Sequence, residues 1–216
     1  MERPAVVLFD LDGTLVDSRD AYARSMNHAL AAAGLPRRPD AELYLQLGPP
    51  IHETLEQMRV PPQLVEPIVT GYRTRFAEHG LAETQVYAGI GELLSYLHGR
   101  VRLGVATSKP VTAAVGLLSG LGLADLFETI CGPDPETVKE SKAVTIGRAL
   151  AALSASAPVI SAVMVGDRLY DVLGARAHGL PAIGVLWGVG SEAELREAGA
   201  AEVVRAPGEI PPLLGL

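Results

Sequence analysis

The sequence predicts an α/β fold: a parallel sheet between two layers of helices, α/β/α, with an all-helical block inserted after the first strand. Three observations carry that reading. Short, partly β-branched apolar runs at Ala5–Phe9, Val101–Ala106, Ile160–Val165 and Ala182–Trp187 each stop at polar or turn residues, as strands buried on both faces do. Segments of helical period lie between them, so the strands are joined by crossovers and pair in parallel. The stretch from about Ser18 to Glu83 breaks this alternation, with helical patterning and no convincing strand.

In chain order, Ala5–Phe9 leads into Asp10. Within the inserted block, Tyr22, Met26, Ala29 and Ala33 line one helix face and Gly34 follows as a stop. A second segment runs from Asp40 to Leu47, and further helices begin near Pro50 and Pro62. The block is too long for an ordinary crossover. It reads as a helical cap over residues 17–84, leaving 1–16 and 85–216 as the sheet domain. Val101–Ala106 ends at Thr107–Ser108, and Val111, Val115 and Leu118 share the next helix face. After a weaker strand at Leu126–Cys131, Ala143, Ile146, Leu150 and Leu153 mark another helix. Ile160–Val165 ends at Gly166–Asp167, Ala182–Trp187 ends at Gly188, and Ala201–Arg205 is a second weak strand.

Composition narrows the function. With 216 residues, 48% hydrophobic and 20% charged, the chain can bury a substantial core, and with 5% aromatics that core is mostly aliphatic. The net charge is −7 and no Lys/Arg run exceeds Arg37–Arg38, which argues against nucleic acid as a partner. No apolar run is long enough to span a bilayer, and the N-terminal residues lack the pattern of a secretory signal. A single cysteine, Cys131, excludes an internal disulfide and suits the cytoplasm. The expectation is a cytoplasmic protein, monomer or homodimer, with no membrane or nucleic-acid partner.

The chemistry gathers at strand ends. Parallel sheets bind ligands beyond the carboxyl ends of their strands, so polar residues where three strands stop should meet in space. Asp10 and Asp12 follow the first strand, with Gly13 allowing a tight turn. A capping Asp explains one such carboxylate, not a pair. Thr107 and Ser108 end the second run; alone they would read as helix caps. Asp167 follows the third, with Asp171 one helical turn on. Lys139 and Lys142 both lie near a helix start, and an isolated lysine there is usually a solvated charge.

The combination of Asp10-Leu11-Asp12-Gly13-Thr14, Thr107–Ser108, Lys142 and Gly166-Asp167-Arg168-Leu169-Tyr170-Asp171 resembles the haloacid dehalogenase superfamily, in its phosphoglycolate-phosphatase-like branch. The runs Gly89–Leu94, Gly174–Gly179 and Gly184–Gly188 add to the likeness. The resemblance implies a Rossmann-like core with a C1-type helical cap, and a Mg²⁺-dependent phosphatase acting on a small phosphorylated metabolite. Carried over, Asp10 is the nucleophile that forms an aspartyl-phosphate and Asp12 the general acid and base. Thr107 and Ser108 hold a phosphoryl oxygen. Lys142 neutralises charge and is preferred to Lys139. Asp10, Asp167 and the main-chain carbonyl of Asp12 bind Mg²⁺, with Asp171 acting through water or as an orienting group. This sequence departs from the branch with Ser108 where Asn is frequent, and with Ala143 where Pro often follows the lysine.

For the leaving group, cap candidates are Arg24, the turn containing His52, Arg73 and Arg75. Phosphoglycolate, a nucleoside monophosphate and pyrophosphate are all compatible esters or anhydrides. A sugar phosphomutase would more often carry an apolar residue at Thr14, a dehalogenase would lack Asp12, and a non-catalytic sensor would have lost Asp10, Asp12 or Asp167.

Overall fold

A computed structural model describes residues 3–137 and 139–216, so the first two residues of the expected 1–16 segment lie outside it. Six parallel strands form one sheet in the order β5-β4-β1-β6-β7-β8. They are β1 (Val6–Phe9), β4 (Arg102–Ala106), β5 (Thr129–Cys131), β6 (Ala162–Gly166), β7 (Ala182–Val185) and β8 (Glu202–Val204). The two weak strand signals thus mark edge strands β5 and β8. Ile160, read as a strand start, is 86% exposed and precedes β6, because pairing with β1 begins only at Val6↔Ala162.

Every residue of β1 is fully buried, and its side chains alternate between two cores as a period of two requires. Val7 and Phe9 enter the cluster with α5 (Ile90–Leu97) and α6 (Val111–Gly120). Val6 and Leu8 enter the one with α7 (Lys142–Ser154), α8 (Leu169–Arg176) and α9 (Glu192–Ala198). This is the three-layer arrangement expected of a sheet whose central strands are apolar on both sides. On α6 the buried face is Ala114, Leu117 and Leu118, while Val115 is 41% exposed. The expected face is therefore turned. An almost wholly apolar helix lets packing rather than pattern choose its face.

Between β1 and β4 the chain builds α1 (Arg19–Ala32), α2 (Asp40–Tyr44), α3 (Ile51–Gln57) and α4 (Pro62–His79). Tyr22, Met26 and Ala29 of α1 pack on Leu43, Leu55, Ile68 and Val69 in a core of their own. Two short strands unforeseen in the sequence, β2 (Val16–Asp17) and β3 (Gln85–Val86), pair antiparallel and join the two chain crossings at the base of this insertion. Among the described residues no helix is long and apolar enough to cross a membrane.

The sheet order reverses at β1, which lies between β4 and β6. Phe9 is in register with Val105 on one side and Val165 on the other. Asp10, one residue beyond Phe9, and Thr107 and Asp167, each two residues beyond its register partner, leave the same edge of the sheet, at the crevice where open α/β sheets place ligands.

Candidate active site

Asp10 and Asp12 line a cavity of 560 Å³ together with Thr107, Ser108 and residues of the helical insertion. Both carboxylates are nearly buried, as are Thr107, Lys142, Asp167 and Asp171.

Lys142 opens α7 and points its ammonium under the strand ends. Nζ lies 2.8 Å from both Asp10 Oδ1 and Asp171 Oδ1, contacts made as ion pairs rather than well-aligned hydrogen bonds, and donates to the Ala106 carbonyl at 3.2 Å. A Cβ on Gly174 of α8 would stand 2.9 Å from Lys142 Cγ, so the absent side chain there lets the lysine stem pass between α7 and α8. Burial alone would lower the Lys142 pKa; Asp10 and Asp171 outweigh it and push it above its ordinary value. Lys139 instead lies on the surface, 2.7 Å from Glu56.

Asp167 accepts from Val189 N at 2.8 Å and from Thr14 Oγ1 at 3.3 Å, and forms no ion pair among the described residues. Burial, then the charges of Asp171 and Asp10, push its carboxyl up to about 8. Burial likewise raises Asp10 to about 6, with Lys142 pulling back and Asp171 adding to the rise. Asp171 does not share a helix face with Asp167, as the spacing had implied. Asp167 belongs to the strand end, and Asp171 sits in the first turn of α8, where its Oδ2 accepts from Arg168 N at 3.1 Å.

Asp10, Asp167 and Asp171 each offer an oxygen within 4.8 Å of the others. One lysine against three buried carboxylates leaves negative charge uncompensated, and the neighbouring carboxylates add to burial in raising Asp10 and Asp167. A hard divalent cation with oxygen ligands fits such a group, and Mg²⁺ in particular is held by few carboxylates plus water and phosphate. Gly13, at φ +88°, presses on the same group: a Cβ there would collide with the Asp167 carboxylate. Gly13→Ala is therefore expected to cost at least about 1 kcal/mol of stability and to weaken cation binding. Urea unfolding and Mg²⁺ titration by calorimetry would measure the two effects, and unchanged midpoint and affinity would refute the contact.

Asp12 stands apart from the carboxylate group. Ser18 Oγ donates to its Oδ1 at 2.5 Å, the hydroxyl serving the carboxylate instead of capping α1. Lys109 Nζ lies 3.0 Å from its Oδ2 and 4.1 Å from the ring centroid of Phe76 in α4. Sequence reasoning passed over Lys109, since a lysine after a strand end looks solvated. Its signal was its place between Ser108 and Pro110 in a segment already singled out.

Of the cap candidates, His52 and Arg73 line the cavity, each already engaged: His52 Nε2 lies 3.0 Å from Glu66 and Arg73 Nη1 donates to Pro135 O at 2.7 Å. Arg24 lies outside it, half-exposed and paired with Glu83 at 3.2 Å, and Arg75 is held by Glu83 and Ser25. The expectation that Arg24 reads the leaving group is corrected by that placement.

Residues 7–185 match the family described as haloacid dehalogenase-like hydrolase. The chain belongs to that family. Among similar proteins is the one named tyrosine-protein kinase PtkA of Mycobacterium tuberculosis, 41% identical over 191 residues, which are 88% of this chain and 64% of the relative. The chain thus spans under two thirds of that relative's length. A 5'-nucleotidase of Pseudomonas aeruginosa is 38% identical over 192 residues, 88% of this chain and 86% of the relative. The crystal structure of a predicted phosphatase from Clostridium acetobutylicum superposes with a TM-score of 0.91 at 35% identity, covering 99% of this chain and all of that one.

Proposed function

We propose that this haloacid dehalogenase-like protein is a cytoplasmic, magnesium-dependent phosphatase that hydrolyses a small phosphorylated metabolite through an aspartyl-phosphate on Asp10. One observation carries the reading: two acids of different surroundings, Asp10 beside a lysine and Asp12 beside a lysine and a serine, face one cavity. Phosphatase and nucleotidase names among the relatives agree with it.

In the first half-reaction a carboxylate oxygen of Asp10 bonds to phosphorus, the phosphorus–oxygen bond to the leaving group breaks, and Asp12 delivers a proton to the departing oxygen. In the second, a water oxygen bonds to phosphorus, the Asp10–phosphorus link breaks, and Asp12 takes the proton from water. Thr107 and Ser108 hold a phosphoryl oxygen by hydroxyl or main-chain donation. Lys142 keeps Asp10 oriented and offsets the charge of the phosphoryl group. Asp10, Asp167 and the main-chain carbonyl of Asp12 would hold Mg²⁺, with Asp171 acting through water or as an orienting group. When bound, the ion supplies the positive charge that lets an anionic nucleophile meet an anionic ester. The insertion over 17–84 acts as a cap that shields the phosphoryl group from bulk water.

Phosphate release from a panel of phosphate monoesters, with Mg²⁺ and with chelator, tests this. Release that needs the ion is expected. A phosphoryl group on Asp10 can also pass to another hydroxyl, so a protein or sugar labelled in place of inorganic phosphate release would replace hydrolysis with transfer.

A further inference from the structure

The cavity is larger and more apolar than a two-carbon ester requires. At 560 Å³ it falls within the range of about 300–1,000 Å³ that encloses drug-sized ligands. The chain has one Trp, six Tyr and three Phe, yet three of those rings line this cavity. Tyr22 of α1 meets Tyr72 of α4 edge to face at 5.7 Å, and Tyr72 lies 5.9 Å from Phe76, one helical turn on, tilted by 33°. Pro49 and Pro50, in the turn before α3, add rigid apolar surface. Lys109 ties this wall to the reacting end, with its ammonium against both Phe76 and Asp12. A leaving group attached to phosphorus beside Asp10 and Asp12 therefore has an aromatic wall next to it.

Two of the three described basic side chains on the wall already face a carboxylate. Lys109 is paired with Asp12, Arg73 with the Pro135 carbonyl, and His52 with Glu66. Glu140 takes Arg148 at 2.7 Å. Arg73 is the lining's one described side chain of fixed positive charge without a carboxylate partner, and the rest of the wall around it is apolar or aromatic. The Tyr22 hydroxyl is buried without a hydrogen-bond partner of good geometry, although the Thr54 hydroxyl is close enough to offset part of the rise that burial imposes on its pKa.

We infer that the preferred substrates are phosphate monoesters whose leaving group carries a flat, uncharged ring, packed on Tyr72 and its neighbours Tyr22 and Phe76. A nucleoside base and an aryl group both have that chemistry, because each offers a π-face to an aromatic side chain. The inference rests on the phosphatase reading above.

Two matched pairs separate ring recognition from intrinsic reactivity. A nucleoside 5'-monophosphate and ribose 5-phosphate share the same leaving alcohol and differ by the base. Phenylphosphonate and methylphosphonate, as competitive inhibitors, differ by an aryl ring and do not react. A kcat/KM about tenfold or more higher for the mononucleotide, or a Ki about tenfold lower for phenylphosphonate, is expected, and the pair that shows it names the ring source. Tyr72→Ala is expected to bring that ratio within about threefold of unity. Because the ratio is taken within one protein, a partly unfolded variant does not disturb it, and Tyr72→Phe is expected to retain it. Ribose 5-phosphate or phosphoglycolate handled as well as the mononucleotide, with methylphosphonate binding as well as phenylphosphonate, would overturn the inference while hydrolysis itself stood. So would a ratio indifferent to Tyr72→Ala. Phosphate release from none of these esters would remove the phosphatase reading and this inference with it.

Discussion

Asp10→Asn is expected to lower phosphate release by at least about 10³-fold, the scale on which removal of a nucleophile shows, while the protein stays folded. An amide has the shape of the carboxyl but neither the charge nor the lone-pair basicity to attack phosphorus. Loss of fold is not the expected cause. Burial holds the Asp10 carboxyl up at about 6, above its ordinary 3.8. A raised acid favours the folded state only when protonated, so above pH 6 its charge works against folding. Asn removes that charge and leaves Lys142 still paired with Asp171 at 2.8 Å. The urea midpoint of the variant in chelator should therefore match or exceed that of the wild type. Acid-quenched wild type incubated with labelled ester should carry a label that hydroxylamine releases, as an acyl phosphate does, and the variant should carry none. More than a tenth of wild-type activity in the variant would sink the aspartyl-phosphate mechanism.

Where sequence and structure agree, the signal was local and the geometry followed from a rule about sheets. Asp10, Thr107 and Asp167 were legible because each ends an apolar run, and parallel pairing carries all three to one edge. Strands β2 and β3 were not, because two residues each, paired across the whole insertion, leave no pattern in a local window. Arg24 could have been set aside from sequence: two residues beyond Tyr22 is about 200° around a helix of 3.6 residues per turn. That puts it away from the face the pattern buries, and the structure has it with Glu83 on the outside. The choice between Lys139 and Lys142 needed coordinates, because three residues of chain decide whether an ammonium reaches Asp10 or Glu56. The aromatic wall was beyond reach for a similar reason: Tyr22 packs in the core of the inserted helices, and only the packing of α1 on α4 shows that Tyr22 and Tyr72 also border the cavity.

Lys142→Met is expected to cost about 3–5 kcal/mol of stability, the loss found when one partner of a buried ion pair is removed, in addition to most of the activity. The size follows from geometry: a single buried ammonium lies 2.8 Å from two carboxylates, and without it Asp10 and Asp171 face each other with nothing between. At about 2–4 °C per kcal/mol for a chain of this size, the melting temperature in chelator at pH 8 should fall by roughly 6–20 °C. The sign of the pH dependence is fixed by the same contact. Asp10 is already raised by burial with Lys142 pulling it back, so without the lysine it rises further, the folded state binds more protons than the unfolded one, and the deficit shrinks as pH falls from 8 to 6. Mg²⁺ should shrink it as well if the cation is held among these carboxylates. Adding Asp171→Asn to Lys142→Met removes half of the facing charge and should recover part of the loss. A melting temperature unmoved by Lys142→Met at pH 8 in chelator would mean that water already screens Asp10 from Asp171, and the charge deficit from which a cation was inferred would disappear with it.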